Sequence, residues 1–211
     1  IFTDASISPD VLKEILIRSN EKSFNSITID GDTSTSDSVL FVSTNEKITD
    51  KILKFSDPAL SDFKGSCGKL MLDLAKQIVK DGEGAKKLIE VKIKNAISEK
   101  SAKNIAFSIA NSPLVKTAIA GEDANWGRIV MAIGKSYEKI NLNKIKIYFG
   151  NHLVTSKGMR YEFYSEQKVT EHLKKKEIQV LVDLGIGKSS WTVYTCDLTK
   201  QYIHINADYR S

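Results

Sequence analysis

From Asp30 to Ser38 every residue is Asp, Gly, Ser or Thr, a run bounded by Ile27 and Ile29 before it and by the apolar residues 39–42 after it. The flanks are β-branched and aromatic and suit a pleated, buried surface, so they predict two β segments. The run between them cannot contribute a core. Its side chains hydrogen-bond nearby backbone and tolerate unusual dihedrals, which predicts a tight polar loop. Such a loop is either a solvated turn or, where hydroxyls and carboxylates gather at strand ends, the polar floor of a site. A calcium loop fits poorly, because Gly31 offers no ligand and Phe41 stands where an EF-hand needs a bidentate Glu.

Around this run the chain alternates helical and strand periodicities. Residues 1–3 could finish a strand, and Ser8-Pro9 caps a helix whose apolar positions Val11, Leu12, Ile15 and Leu16 recur to about Ser19. A short amphipathic piece is expected from Ile48 to Lys54. Asp57-Pro58 opens a longer helix to Lys80 with an apolar series of Leu70, Leu72, Leu74, Ile78 and Val79, in which Gly65, Ser66 and Gly68 are expected to permit close packing. The run from Asp81 to Ala85 breaks it. Ile89, Val91 and Ile93 then alternate with Glu90, Lys92 and Lys94, the pattern of a strand buried on one face. Ser98 and Ser112-Pro113 start two helices, and a third runs from Arg128 to Tyr137. Strands are expected at 145–149 and 152–154, a charged helix at 165–176, and a hairpin or pair of adjacent strands formed by 178–184 and 191–196. A last strand is expected at 202–205. Paired alternation of this kind argues for a layered α/β or α+β fold, not a Rossmann one.

Length and charge narrow the classes. The 211 residues can bury a proper core, and 41% hydrophobic with 27% charged residues is ordinary for a globular chain. A net charge of +5, from 31 basic against 26 acidic residues, comes without an RNA-binding or zinc-finger pattern, so no nucleic-acid partner is expected. Cys67 and Cys196 are too few for a disulfide framework, which points to a reducing compartment. No metal site is expected from three scattered His and two Cys. No apolar run approaches the ~20 residues needed to span a bilayer. With no initiator Met and no signal peptide, the chain reads as the later piece of a longer precursor.

Of the motifs, Gly185-Ile186-Gly187-Lys188-Ser189 is like the tail of a phosphate loop, but Val182 stands where its first glycine belongs and a strand pattern follows; a tight turn is expected. Gly82-Glu83-Gly84 is either a helix C-terminal cap or a carboxylate flanked by residues that let backbone approach a ligand. Residues 121–128 pack acids, an amide, an indole and a guanidinium at a helix start, which fits an N-cap with acids near the positive helix end. No Ser-His-Asp or Cys-His arrangement suggests itself, and residue types alone name no nucleophile.

Taken together, the stretches Ser26-Ile27-Thr28-Ile29-Asp30-Gly31-Asp32-Thr33-Ser34-Thr35, Gly121-Glu122-Asp123-Ala124-Asn125-Trp126-Gly127-Arg128 and Ile205-Asn206-Ala207-Asp208-Tyr209-Arg210-Ser211 resemble the β chain of the ornithine acetyltransferase (glutamate N-acetyltransferase) family. The resemblance runs from Ile1 to Ser211. It implies a layered α/β fold similar to the N-terminal-nucleophile hydrolases. It also implies a precursor that cuts itself before a threonine, and acetyl transfer from N-acetylornithine to glutamate through an acetyl-threonine intermediate. The family's β chain begins Thr-Met-Leu a few residues before its Ile-Phe-Thr-Asp-Ala run, so the nucleophilic Thr is expected just before Ile1. Thr3, inside the matched run and acylated at its nitrogen, is no substitute.

By the same resemblance Glu83, Asn206 and Ser211 are the expected substrate-binding residues. The loops 30–37 and 125–128 are expected to be support near the site. The implied partner is an α chain from the same precursor, in a cytoplasmic heterotetramer of two α and two β chains. No cofactor is implied beyond acetyl-CoA as a further acetyl donor. The chain is expected to divide into a larger part, 1–140, and a smaller part, 141–211. The rival reading is a non-catalytic amino-acid-binding subunit of the same fold that has lost the nucleophile.

Overall fold

The computed structural model describes residues 1–46 and 51–209. The chain forms two compact units, one made of residues 1–26 and 32–76, the other of 27–31 and 77–211. The parting expected near residue 140 coincides with none of these boundaries, and strands from both sides of it share one sheet.

In the first unit, β1 (Phe2–Thr3) pairs in parallel with β2 (Val42–Ser43). Helix α1 (Pro9–Glu21) starts at Ser8 with proline in its first turn. Asp57 caps a single 3-10 turn, Pro58–Leu60, by accepting from the N–H of Ala59, and α2 (Ser61–Lys80) follows. Ile7, Val11, Ile15, Leu60 and Cys67 form the core of this unit. The apolar series expected on α2 is corrected. The buried positions are Cys67, Met71, Ala75 and Val79, one residue every fourth, while Leu70 and Ile78 are exposed. Gly65 and Gly68 face open space, because a Cβ at either would meet nothing within 4 Å, so they do not mark close packing. The amphipathic piece expected at 48–54 lies partly outside the described residues; of its remainder, Ile52 bridges in parallel to Ile7.

The second unit is a six-stranded mixed sheet, and the layered α/β architecture expected from the alternation of elements is the one found. Its strands are β3 (Leu88–Ala96), β4 (Lys146–Phe149), β5 (His152–Ser156), β6 (Met159–Arg160), β7 (Glu177–Asp183) and β8 (Ser189–Cys196), in the order β6-β5-β4-β7-β3-β8. Helices α3 (Glu99–Ala110), α4 (Pro113–Ala120), α5 (Trp126–Lys135) and α6 (Glu166–Leu173) connect them. Ser98, Ser112, Asn125 and Ser165 each cap their helix with a side-chain oxygen that accepts from the backbone N–H three positions on. The core joins Ile89, Val91 and Ile93 of β3 to Val180 and Val182 of β7, Ile147 and Phe149 of β4, and the apolar faces of the helices, among them Ile105, Ile109, Ile133 and Leu173.

Two expected strand assignments are corrected. First, β7 and β8 are not neighbours: β3 lies between them, parallel to β7 and antiparallel to β8. A short glycine-rich link between two strand patterns is also what a hairpin looks like, but residues 184–188 have enough reach to cross one strand, about 10 Å from first neighbour to second. The link is tied to the end of β3 by Leu184 N–H to Lys94 O (3.0 Å) and Ile186 N–H to Asn95 O (2.9 Å). Gly185 sits at φ +61, and a Cβ on Gly187 would lie 2.0 Å from the carbonyl oxygen of Ala96. Second, residues 202–205 are helical. They belong to α7 (Lys200–Asp208), started by Thr199, whose side chain accepts from the N–H of Gln201. The alternation Tyr202-Ile203-His204-Ile205 imitates a strand, but no sheet edge receives it.

Gly187→Ala is expected to destabilise the protein by about 2 kcal/mol, because the backbone of the link must lift from β3 to admit the methyl group. Equilibrium denaturant unfolding checks this, with Gly134→Ala, where a Cβ meets nothing within 4 Å, as the tolerated control.

Candidate functional site

Strand β3 begins where β8 ends, since Leu88 pairs with Cys196. The loop before β3 and the helix after β8 therefore emerge together. Asp197 fixes the junction: it is buried, and its Oδ1 accepts the N–H groups of Lys86 and Lys87, both at 2.8 Å. The loop at 81–85 then meets the start of α7. Thr199 Oγ1 donates to Gly84 O at 2.8 Å, and Gly84, at φ +67, comes so near that a Cβ there would lie 2.6 Å from the nitrogen of Tyr202. Gly84 thus serves close approach of backbone to backbone, whereas a Cβ on Gly82 would crowd the side chain of Ile29.

Across this junction the amide of Asn206 donates through Nδ2 to Glu83 Oε2 at 2.6 Å. The same nitrogen donates to the carbonyl oxygen of Tyr202 at 3.0 Å. Both partners are acceptors, so the amide orientation is fixed by chemistry, and both of its N–H bonds are engaged. What remains is Asn206 Oδ1 and the second oxygen of Glu83, acceptors only. Such a pair suits an ammonium or amide N–H group and disfavours a carboxylate. One turn earlier on the same helix face, Tyr202 OH donates to Asp30 Oδ2 at 2.9 Å.

Asp30 is held from behind. The Nζ of Lys116 donates to the carbonyl oxygen of Ile29 and to Thr195 Oγ1 at 2.9 Å, and lies 3.9 Å from Cys196 Sγ. Lys116 is 3% exposed, and burial pulls its ammonium below the ordinary lysine value, opposed by the charges of Cys196, Asp30 and Asp197. Burial likewise pushes the Cys196 thiol up. Thr28 completes the strap, taking Tyr194 O with its N–H (3.0 Å) and Asn111 Oδ1 with its hydroxyl (2.7 Å).

Of the residues named from the sequence, Glu83 and Asn206 are brought together and Ser211 lies outside the described residues. The polar run splits: residues 27–31 belong with the sheet, and Asp32 to Ser38 are exposed in the other unit. Residues 121–128 knit α4 to α5, with Arg128 Nη1 donating to Leu114 O at 2.7 Å and Asn125 Oδ1 accepting from the Arg128 N–H. Sequence reasoning missed Lys116, Tyr202 and Asp197. Thr199 carried a helix-start signal that would have revealed the face shared by Tyr202 and Asn206, whereas nothing local marks Lys116 as buried. Among the described residues no cluster of three His, Cys, Asp or Glu could hold a metal ion, and no helix is long and apolar enough to cross a membrane.

The sheet, its helices and this acceptor corner define a layered α/β protein with a polar site where the first central strand begins. The chain belongs to the ArgJ family, whose profile matches residues 1–211. It is 50% identical over 211 residues to the arginine biosynthesis bifunctional protein ArgJ of Zymomonas mobilis, covering 100% of this chain and 52% of that protein. To the protein of the same name from Brucella suis it is 48% identical over 214 residues, with the same two coverages. The chain thus spans about half the length of the curated relatives it matches. The crystal structure of the arginine biosynthesis bifunctional protein ArgJ from Bacillus halodurans superposes with a TM-score of 0.94 at 39% identity, covering 99% of this chain and 98% of that one.

Lys116→Met is expected to lower stability by about 2 kcal/mol, since Ile29 O and Thr195 Oγ1 lose a buried donor. Because burial lowers the folded-state value of Lys116, the unfolded chain binds the extra proton only between that lowered value and 10.5, and stability from this group rises with pH across that interval. The gap between wild type and Lys116→Met in urea unfolding should therefore widen with pH over that window.

Proposed function

We propose that this chain is the β half of an acetyltransferase of arginine biosynthesis, one that moves the acetyl group of N-acetylornithine to glutamate. The observation that carries the reading is the Glu83–Asn206 contact at 2.6 Å, which presents acceptors alone, within a chain matched end to end by the ArgJ family. Both substrates carry their reacting nitrogen as an N–H group, and acceptors at that point hold it without competing for its carboxylate.

The nucleophile is the hydroxyl of a threonine that precedes Ile1, freed when the precursor cleaves itself. A hydroxyl is weak at pH 7, and the neutral α-amino group of the same residue, with a pKa of about 8, serves as its base. The hydroxyl oxygen attacks the acetyl carbonyl, and ornithine departs with the proton. Glutamate's amine then takes the acetyl group and restores the hydroxyl. Oxyanion donors, each worth about 3 kcal/mol in comparable sites, come from the α chain. Two α and two β chains assemble in the cytoplasm, and Ser211, which matches the family's C-terminal Thr or Ser, is a third substrate-binding residue. Acetyl-CoA is a second donor, a reading supported by the word bifunctional in the relatives' name.

Incubating the assembled enzyme with N-acetylornithine and measuring the intact mass of this chain tests the proposal. One added acetyl group, removed again by glutamate, is expected. No added mass would mean an amino-acid-binding subunit without a nucleophile. Acetyl-CoA in place of N-acetylornithine should give the same adduct.

A further inference from the structure

We infer that Tyr202 and Asp30 are positioning residues for the Glu83–Asn206 pair, a latch that sets the rotation and height of α7; this rests on the reading of that pair given above. Helix α7 has no buried side chain, and Ile203 is 65% exposed. A nine-residue helix is marginal on its own and is ordinarily fixed by an apolar face against a core. Here only Tyr202 and Ile205 are partly buried, so polar contacts carry much of that task. Thr199 to Gly84 O holds the first turn, Tyr202 to Asp30 the next, and Asn206 to Glu83 the one after.

Tyr202 occupies the middle of this series and acts at both ends of its own structure. Its hydroxyl reaches Asp30, and its main-chain oxygen takes the second N–H of Asn206. A rotation of α7 that released the hydroxyl would swing Asn206 away from Glu83, since residues four apart share a face. The anchor itself is tied to the interior. The carbonyl before Asp30 is gripped by the buried ammonium of Lys116, and the side chain of Ile29 stands within 3.2 Å of where a Cβ on Gly82 would be. Asp30 therefore follows a carbonyl tied to the buried interior and bonds α7 through its side chain. A hydrogen bond to a carboxylate is the kind strong enough for the task.

The test uses the assembled enzyme with four single variants, Tyr202→Phe, Asp30→Ala, Asp30→Asn and Asn206→Ala, and the double variant Tyr202→Phe with Asp30→Ala. Tyr202→Phe and Asp30→Ala should each raise KM for N-acetylornithine about tenfold with kcat within about twofold. The double variant should be little worse than Asp30→Ala alone, because the bond between the two side chains is already lost in each single variant. Asp30→Asn, which keeps an acceptor oxygen, should recover most of the affinity. Wild-type KM in both Tyr202→Phe and Asp30→Ala, with Asn206→Ala impaired, would overturn the latch and leave the acetyltransferase reading standing. A fall in kcat and melting temperature together at constant KM would reduce the pair to fold support and equally overturn it. Unchanged KM in Asn206→Ala would remove the site reading, and the latch with it.

Discussion

The antiparallel ladder between β3 and β8 is the constraint on which the site depends. Because Leu88 faces Cys196, the loop that precedes β3 and the helix that follows β8 leave the sheet at one place. The other side of β3 is taken by β7 in parallel, so β3 cannot drift in register without breaking two ladders whose buried residues alternate with half-exposed ones. Residues more than a hundred positions apart, Glu83 and Asn206, are thereby set within one hydrogen bond.

Polar groups taken from water must find partners, and the junction shows how that need builds a site. Asp197 spends one oxygen on two backbone N–H groups; Lys116 closes the carbonyl of Ile29 and the hydroxyl of Thr195. These interior contacts hold the backbone under Asp30 and Lys86, while the groups that face outward, Tyr202, Asn206 and Glu83, are linked to one another. Their contacts with one another set the directions of the Glu83 and Asn206 oxygens, the kind of prior ordering that lowers the cost of binding.

Much of the fold was legible along the chain. Ser98, Ser112-Pro113 and Ser165 mark helix starts because capping is a local bargain between one side chain and the nearest free N–H groups. Ile89, Val91 and Ile93 declare a one-faced strand because period two is also local. The misreadings share a cause. Residues 202–205 alternate like a strand, yet a strand needs an edge to pair with. Residues 184–188 look like a hairpin turn, yet the neighbour that separates β7 from β8 lies ninety residues away in the chain. On α2 the buried stripe of Cys67, Met71, Ala75 and Val79 includes small and weakly apolar residues, so the larger leucines drew the expectation to the wrong face.

What the sequence by itself determined was most of the elements, the layered α/β class, the family and the identity of Glu83 and Asn206 as residues to watch, since all of these are carried by short-range periodicity or by contiguous motifs. Only the tertiary structure decided that β3 stands between β7 and β8, that α7 is a helix held by polar contacts, and that Lys116 is buried beneath Asp30. Those facts depend on which distant strands exchange hydrogen bonds and which charges lose their water, and neither is written in any one stretch of residues.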